Sequence, residues 1–403
     1  LKKKIIFIHH GGAIGGAPIS MLNLISSLDN DIYKPLVIFT NPGPIVEIAE
    51  KKNIKTKVLN IKSIFFYGMH VKIRFRMLFN FVFYFNETNK IISDLIKKEK
   101  PSLIYLNTSV LVTPAIVAKK NKIPLVWSIR EVPGRNKILR GWHLNKIKKL
   151  SDHILVTSDY VGNYFDATKN ISVLYNSINI DEYKINKKKY RDIIRQEFRI
   201  PNDDIVIALI GSVQKVKGHY LLIESAKEVL KSHNNVRFLI IAGGVNNQYK
   251  VSWKGRIKSI FNLPYDNLER MKRLITKSNI NKNFIFSGYR NDIPKVLACV
   301  DIIVFPSLLP EGFGRPIIEG MAAGIPVIAS DTGPSEEILG KNSGILIPPN
   351  NPSKLTKALQ YLISDFGARV KMGKFGIKRI FDRFNSTDTV KSFNKIIESC
   401  IAE

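Results

Sequence analysis

Two glutamates in the second half of the chain stand in a setting that is typical of a ligand-binding site. Glu311 stands in a glycine-rich stretch, and Glu319 follows after seven intervening residues, inside a helix predicted to begin near Pro316. A carboxylate accepts hydrogen bonds on both of its oxygens, which suits it to sugar hydroxyl groups. Glycines on both sides of Phe313 predict backbone amides that a ligand can approach. The stretch from Glu311 to Glu319 is therefore our first candidate site.

A glycine-rich turn near the amino terminus predicts a second ligand-binding position. The first apolar run ends at His9-His10, and Gly11-Gly12-Ala13-Ile14-Gly15-Gly16 follows. Missing Cβ atoms let an anion approach the amino terminus of the next helix, where the N–H groups and the helix dipole favour negative charge. The spacing departs from the dinucleotide fingerprint, and no acidic residue ends the second strand, so a nicotinamide cofactor is disfavoured. A tight turn without a ligand is the alternative.

A lysine in a third turn is suited to a diphosphate. Ile210-Gly211-Ser212 ends an apolar run, and Lys217-Gly218 opens the next helical segment. A strand, a small-residue turn and a lysine at a helix start together favour phosphate binding. The alternative is an ordinary surface lysine in a lysine-rich chain.

The elements that must position these residues alternate between short apolar strands and longer amphipathic helices. This alternation predicts an α/β fold of doubly wound parallel sheets with helices on both faces. The strands predicted before the polar interval 179–199 are 5–10, 35–39, 56–61, 102–107, 124–130, 153–158 and 171–175, and those after it are 205–210, 237–242, 283–287, 301–306, 326–329 and 344–347. We therefore predict two Rossmann-like domains facing across a cleft, residues 1–185 and 196–381, with a C-terminal helix 382–403 crossing back onto the first.

The residues around Glu311 resemble a known family. Residues 310–327 read Pro-Glu-Gly-Phe-Gly-Arg-Pro-Ile-Ile-Glu-Gly-Met-Ala-Ala-Gly-Ile-Pro-Val. The stretch resembles the retaining glycosyltransferases of family four, also called glycosyl transferases group 1, of the bacterial envelope polysaccharide type. The likeness continues through Lys217-Gly218, Gly243, Ser287 to Arg290, Asp301 to Ser307, Asp331 to Gly333 and Glu337-Ile338, and more loosely through Gly15-Gly16 and Asn176. It implies the GT-B fold, with an acceptor-binding first domain and a nucleotide-sugar-binding second domain.

The resemblance implies a role for each donor-binding residue. Glu311 would hold hydroxyl groups of the donor sugar and Glu319 the ribose. Lys217 would bind the diphosphate, and the amides from Gly312 through Phe313 and Gly314 to Arg315 would meet the sugar or the diphosphate. We assign the remaining donor contacts to Gly15, Gly16, Ser212, Tyr289 and Arg290, of which the last two would line the base pocket.

Two departures from the family pattern concern the catalytic residues. The family commonly has an arginine where Ser212 stands, so that Lys217, with or without Lys215, would carry the charge. The family also places a histidine where our preferred register puts Arg130, with Glu131 as the neighbouring acid; a shift of two residues puts Ser128 there instead. We therefore predict Glu311, Arg130 and Lys217 as catalytic residues. Acceptor binding is assigned to His10 and Asn107, at the ends of two predicted strands, together with Arg130 and Glu131.

The implied reaction is hexosyl transfer with retention at the anomeric carbon, without a protein nucleophile, a metal ion or a cofactor. The nucleoside diphosphate sugar is the co-substrate, and the acceptor is a glycan or a lipid-linked intermediate of cell-envelope polysaccharide. The alternative is a nucleotide-sugar epimerase of the same fold, and after it a basic nucleic-acid-binding protein. A phosphorylase would need a pyridoxal lysine, which the sequence does not place.

Charge is the strongest compositional feature, with 62 Lys and Arg against 33 Asp and Glu. An AT-rich genome explains part of this composition, and an anionic membrane surface would attract such a chain. The basic residues accompany no nucleic-acid-binding motif, so we expect no nucleic-acid partner. Two segments combine aromatic and basic residues, Ile64 to Phe85 and Tyr249 to Phe261. We expect the first to be a buried helix, with a membrane-interface segment as the alternative.

The two cysteines, Cys299 and Cys400, form neither a disulfide framework nor a Cys/His cluster in the sequence. This favours a reducing compartment and argues against a structural zinc site. The opening apolar run is too short for a signal peptide, and no apolar stretch reaches the ~18 residues of a spanning helix. We expect a cytoplasmic protein, peripheral on the inner face of the plasma membrane.

Overall fold

The computed structural model describes two units of the chain, each with its own parallel sheet. The described residues are 2–65, 67–69, 75–165, 168–242 and 267–402. The first unit comprises Leu1–Ser177, Glu311–Phe313 and Ser386–Glu403, and the second comprises Ile178–Pro310 and Gly314–Asn385. The chain leaves the first unit at Ser177, before the lysine-rich interval in which the sequence places the boundary.

The sheet of the first unit has seven parallel strands in the order β3-β2-β1-β4-β5-β6-β7 in the described part of the chain. Its strands are β1 (Lys3–His9), β2 (Tyr33–Phe39), β3 (Thr56–Val58), β4 (Leu103–Asn107), β5 (Leu125–Ile129), β6 (His153–Val156) and β7 (Ile171–Val173). Ile5, Phe7, Leu106 and Trp127 are fully buried because helices cover both faces, which explains why the central strands are largely apolar.

The helices of the first unit follow the strands in the predicted alternation. They are α1 (Gly16–Ser26), α2 (Pro44–Lys51), α3 (Phe75–Phe83), α4 (Phe85–Glu99), α5 (Val112–Lys120), α6 (Lys137–Leu150) and α7 (Asp159–Gly162). The expectation that the segment 64–85 is a buried helix is wrong for α3. Phe81 packs against the core, but Phe75, Phe79 and Val82 are exposed. Parts of that segment, including residues 70–74, lie outside the described residues.

The second unit repeats the architecture with six parallel strands in the order β10-β9-β8-β11-β12-β13, counted over the residues described. Its strands are β8 (Ile205–Ile210), β9 (Val236–Ile241), β10 (Phe284–Phe286), β11 (Ile302–Phe305), β12 (Val327–Ser330) and β13 (Gly344–Ile347). Its helices are α8 (Lys187–Phe198), α9 (His219–Val229), α10 (Asn267–Lys277), α11 (Ile293–Leu297), α12 (Arg315–Ala322), α13 (Ser335–Leu339), α14 (Pro352–Ser364) and α15 (Phe366–Arg383). The predicted α/β fold with two Rossmann-like sheets is confirmed. Gly243 and the segment 249–261 lie outside the described residues.

The last helix, α16 (Ser386–Ala402), belongs to the first unit. Its buried Phe393 contacts the ring of Tyr105 on β4, with 5.5 Å between centroids, and the Tyr33 hydroxyl donates to Glu398 at 3.4 Å. The helix thus supplies part of the cover on one face of the first sheet. Within the described part of the chain, no helix has the length and apolar character needed to cross a membrane.

Candidate functional site

Each sheet has one point where the strand order reverses direction, and the candidate residues gather there. In the first sheet β1 lies between β2 and β4, and His9 at the end of β1 is in register with Asn107 at the end of β4. In the second sheet β8 lies between β9 and β11. The loops that leave two such strands diverge to opposite faces, which opens a crevice at the carboxyl edge where ligands of doubly wound folds bind.

Two histidines at the end of β1 are held neutral by their surroundings. His9 Nδ1 lies 2.9 Å from Asn107 Nδ2, and His10 Nδ1 lies 2.8 Å from Thr108 Oγ1. Burial, reinforced by the neighbouring His10, lowers the pKa of His9 to about 3. Burial also lowers the pKa of His10, against the attraction of the Glu131 carboxylate. Both imidazoles are therefore available for neutral hydrogen bonding rather than for charge.

Thr108, directly after β4, has a backbone conformation that a β-branched residue rarely adopts. Its φ of 119° lies in the region that favours glycine. Three hydrogen bonds hold Thr108 in this conformation. Its N–H donates to the Ser128 carbonyl at 2.9 Å, its carbonyl accepts from Trp127 Nε1 at 2.8 Å, and its hydroxyl pairs with His10. Strain held in this way is typical of functional sites, because it fixes a side chain that would otherwise relax.

Arg130, at the carboxyl end of β5, is fixed by neutral partners. Its Nε donates to Asn107 Oδ1 at 2.7 Å, one terminal nitrogen donates to Asn176 Oδ1 at 2.6 Å, and the other reaches the Tyr105 hydroxyl at 3.4 Å. Among the described residues no carboxylate forms an ion pair with it. The guanidinium is thus oriented while its charge is not neutralised by a side chain, which suits it to an anionic ligand.

Glu131 has a partly structural task. One of its carboxylate oxygens, Oε2, accepts from the Ser109 amide at 3.0 Å and from the Arg130 amide at 3.3 Å. It therefore joins the loops after β4 and β5, which carry the predicted acceptor residues. The four of them, His10, Asn107, Arg130 and Glu131, lie together at one edge of the first sheet.

The glycine-rich turn after β1 approaches a neighbouring loop closely. A Cβ atom on Gly12 would lie 2.2 Å from the carbonyl oxygen of Pro42, and Gly11 has a φ of +77°. Gly15 precedes α1 with extended backbone and Gly16 is its first residue, and no side chain caps that amino terminus in the described structure. The amides of the first turn of α1 thus have no side-chain cap in the described structure, and their binding of an anion stays a prediction.

The segment Glu311–Phe313 packs within the first unit, although the sequence around it belongs to the second. The carbonyl oxygen of Gly312 accepts hydrogen bonds from the hydroxyls of Thr157, at 2.8 Å, and Ser158, at 3.0 Å. A Cβ atom on Gly312 would lie 2.0 Å from the Arg130 carbonyl oxygen, so only glycine fits. Phe313 is buried with its ring 6.3 Å from that of Tyr175. These contacts fix the backbone next to Glu311.

In the second unit, the turn after β8 places Lys217 directly before α9. Ser212 Oγ accepts from Gln214 at 3.0 Å, and Lys217 ends a short 3₁₀ helix. Gly218 has a φ of +74°, and a Cβ atom on it would lie 1.9 Å from the carbonyl oxygen of Pro306. This close approach joins the loops after β8 and β11, so Lys217 and the loop that leads to α12 share one edge of the sheet.

Tyr289 and Arg290, the predicted base-pocket residues, differ in their surroundings. Arg290 donates from Nε and Nη2 to the two oxygens of Asp292 at 2.7 and 2.8 Å, and it also pairs with Glu197. The Asp292 carboxylate raises the pKa of Arg290, and Glu197 adds to this. The guanidinium is thus engaged by two carboxylates, while the Tyr289 side chain is exposed.

Glu319, buried on α12, lies in a cluster with a cation and a phenol. Arg315, one turn earlier, donates from Nε to Glu319 Oε1 at 2.8 Å. Burial, followed by the Glu319 carboxylate, raises the pKa of Tyr183 well above its usual value. Gly314 precedes α12 and Pro316 stands in its first turn, so the amides there have no side-chain cap in the described structure. The cluster offers a carboxylate oriented by a guanidinium.

The structure adds positioning residues that the sequence did not single out. Thr157 and Ser158 are polar residues directly after β6, and the criterion that selected Asn107 and Arg130 could have found them. Thr108 carries no signal in the sequence, because its strain is a property of the backbone. Tyr183 lies in the polar interval and also had none. Within the described residues no group of three His, Cys, Asp or Glu side chains could hold a metal ion.

Two family models match the chain, one for each half. Residues 14–182 match the model described as Glycosyltransferase Family 4, and residues 190–379 match the model described as Glycosyl transferases group 1.

Known proteins similar to the chain include glycosyltransferases. An uncharacterized glycosyltransferase of Methanocaldococcus jannaschii is 26% identical over 55% of this chain and 52% of its own length. A capsular polysaccharide biosynthesis glycosyltransferase of Staphylococcus aureus is 25% identical over 52% of this chain and 50% of its own. The chain thus matches about half the length of each of these relatives.

The crystal structure of Anabaena HepE, in complex with UDP and glucose, superposes with a TM-score of 0.79 at 20% identity, covering 98% of this chain and 100% of that one. That structure has the same two-sheet architecture, the GT-B fold.

Proposed function

Because the chain belongs to the glycosyltransferases of family four, we propose that it transfers a hexosyl group from a nucleoside diphosphate sugar to an acceptor hydroxyl. The observation that carries this proposal is the pair Glu311 and Glu319, each at the carboxyl edge of a Rossmann-like sheet. Glu311 is anchored through Gly312, and Glu319 is oriented by Arg315. The Glu319 carboxylate, buried and oriented by Arg315, suits ribose hydroxyl groups, and the Glu311 carboxylate, next to a fixed backbone, suits those of the sugar.

The donor-binding residues that we propose fall into two groups, carboxylates that bind hydroxyl groups and cationic or amide groups that bind the diphosphate. Glu311 holds hydroxyl groups of the transferred sugar, and Glu319 holds the ribose. Lys217 and the amides at the start of α9 stabilise negative charge on the departing diphosphate, with the amides of Gly15 and Gly16 as a second set. In this proposal a cationic side chain and helix dipoles take the role that a metal ion has in other transferases.

The proposed reaction retains the configuration at the anomeric carbon. The bond between the anomeric carbon and the diphosphate oxygen breaks, and the acceptor oxygen forms its bond on the same face. The acceptor proton passes to the departing phosphate oxygen, so the protein needs no nucleophile of its own. Its tasks are to position the two substrates and to stabilise the leaving group.

The acceptor in this proposal is a glycan or a lipid-linked intermediate of cell-envelope polysaccharide synthesis. The name of the Staphylococcus aureus relative supports this assignment. Arg130, oriented by two asparagines and without a carboxylate partner in the described structure, is suited to an anionic group on such an acceptor. The formal charge of +29 supports work at the anionic surface of a membrane.

The test is a thermal-shift screen over nucleoside diphosphate sugars, followed by transfer assays with the best donor. A donor at 100 times its Kd stabilises the folded state by about 2.7 kcal/mol. Glu311→Ala should abolish sugar transfer and keep the unfolding temperature of the wild type. Glu228→Ala, which removes an exposed carboxylate paired with Lys231, is the matched control and should keep full activity. Normal turnover in Glu311→Ala would contradict the proposal, as would a chain that no nucleotide sugar stabilises.

A further inference from the structure

Helix α3 has an apolar stripe on its outer side as well as on its inner side. Phe81 packs against the core of the first unit, whereas the side chains on the other side of the helix are exposed, namely Phe75, Leu78, Phe79, Val82 and Phe83. The outward residues follow the spacing i, i+3, i+4, i+7, i+8 that defines one helix face. Phe75 is 84% exposed and Val82 is 71% exposed, which is far more than a helix that only covers a sheet requires.

A second helix continues this apolar surface. The ring of Phe65 lies 5.3 Å from Phe81 of α3 and 4.9 Å from Trp142 of α6, so the two helices meet at this residue. Trp142 and Ile138, one turn apart on α6, are both exposed, Ile138 by 84%. We refer to Phe75, Leu78, Phe79, Val82, Phe83, Ile138 and Trp142 together as the α3–α6 surface.

Basic residues dominate the two stretches of sequence that contain the α3–α6 surface. Residues 51–86 contain eight lysines and arginines and no acidic residue, and residues 132–151 contain six and none. Arg76 on α3 and Lys137 and Lys149 on α6 are exposed. Lys149 lies on the same side of α6 as Ile138 and Trp142, at the spacing i, i+4, i+11. Exposed apolar side chains therefore share α3 and α6 with exposed cations, and the first acidic residue after α3, Glu87, is paired with Lys62.

We propose that the α3–α6 surface docks the protein on an anionic lipid bilayer, with α3 lying in the plane of the interface and its outer stripe inserted among the headgroups. Amphipathic helices that bind in this way combine aromatic insertion with basic flanks. A second copy of this chain fits less well, because it would bring two basic surfaces together. The inference rests on the membrane association proposed above and identifies the surface of the protein that contacts the membrane.

The experiment is co-sedimentation of the full chain with vesicles of phosphatidylcholine alone and of phosphatidylcholine mixed with phosphatidylglycerol. Wild type should sediment with the mixed vesicles, and salt should weaken the binding by screening the basic flanks. The double variant Phe79→Ser/Phe83→Ser should lower the partition coefficient about tenfold or more, because two aromatic side chains no longer enter the interface. Phe366→Ser/Phe381→Ser, at two exposed phenylalanines of α15, is the matched control and should bind as wild type.

Each outcome supports or overturns the proposal. Because the substituted residues are exposed, both double variants should keep the wild-type unfolding temperature, which is measured first. If wild type binds in a salt-sensitive way and Phe79→Ser/Phe83→Ser binds equally well, the α3–α6 surface is not the docking face. The association driven by charge would then remain. Wild type that ignores anionic vesicles, or that dimerises through this surface in analytical ultracentrifugation, would overturn the proposal itself. Donor binding is measured without vesicles, so a failure of the proposed enzymatic function is seen separately.

Discussion

Replacing Thr157 by valine removes one of the two hydroxyl groups that hold the carbonyl of Gly312, with almost no change in shape. Thr157 donates at 2.8 Å and Ser158 at 3.0 Å, and both residues are buried, so water does not replace a lost donor. Ser158 also caps α7 by accepting from Val161, and its removal would disturb that helix. Thr157→Val is therefore the cleaner test of whether this anchor places Glu311.

The expected magnitude follows from the hydrogen bonds. The Gly312 carbonyl keeps its bond from Ser158, so Thr157→Val loses one neutral hydrogen bond worth about 1 kcal/mol. If that energy holds Glu311 against the sugar in the transition state, kcat falls roughly fivefold and KM for the donor changes little. The double variant with Ser158→Ala leaves the carbonyl unpaired, and a cost of about 3 kcal/mol predicts a loss of roughly 150-fold.

The assay is steady-state sugar transfer with varied donor concentration, alongside thermal unfolding of each variant. Thr113→Val is the matched control, since Thr113 is also fully buried and its hydroxyl pairs with Ser63 at 2.8 Å, within the same unit. It should lower the unfolding temperature by a similar amount and leave kcat unchanged. If Thr157→Val lowers only stability, as the control does, the anchor has no part in placing Glu311 and the reasoning is refuted.

Three further predictions concern charge. Lys217→Gln should lower kcat about 10²- to 10³-fold by removing a cation from the leaving diphosphate, and a loss below threefold in steady-state kinetics would exclude that role. Arg130→Lys keeps the charge but not the planar fork that reaches two asparagines, so kcat should fall about tenfold or more, and unchanged kcat would show that charge alone suffices. Burial lowers the pKa of His9 to about 3 and of His143 and His219 to about 4. The unfolded chain binds more protons below its histidine pKa of about 6.5, so stability should fall by up to about 1.4 kcal/mol per histidine and pH unit as pH drops from 6.5 towards 4. A flat unfolding temperature across that range would contradict this.

The parts of the fold that could be predicted are those set by local pattern. Fully apolar runs separated by amphipathic segments allow few solutions other than buried parallel strands, so every predicted strand has a counterpart. The edge of the sheet that carries polar residues was predictable too, because parallel strands end together. His9 Nδ1 and Asn107 Nδ2 therefore lie 2.9 Å apart although 98 positions separate the two residues in the chain.

Features that could not be predicted depend on contacts between distant residues. Gly312 is held by hydroxyls more than 150 residues away, and Arg290 by Glu197, 93 residues before it. Neither pairing leaves a periodic signal. The segment from Phe75 to Phe85 is apolar on several sides, so the sequence could not identify the side that faces the core. The structure resolves this by packing Phe81, which is partly buried, against the core and by exposing Phe79.

The path of the chain has a consequence for engineering hybrids of this protein with its relatives. The chain passes between the two units at four places, after Ser177, Pro310, Phe313 and Asn385. A hybrid of this chain and a relative, with a single junction near the middle of the sequence, would combine α16 and Glu311–Phe313 of one parent protein with the first sheet of the other. Phe393 of one parent would then pack against the residue that the other parent has in place of Tyr105. Gly312 would likewise lie next to the other parent's residues in place of Thr157 and Ser158. Exchanging the first unit as a whole therefore requires three cassettes, 1–177, 311–313 and 386–403, taken from a single parent.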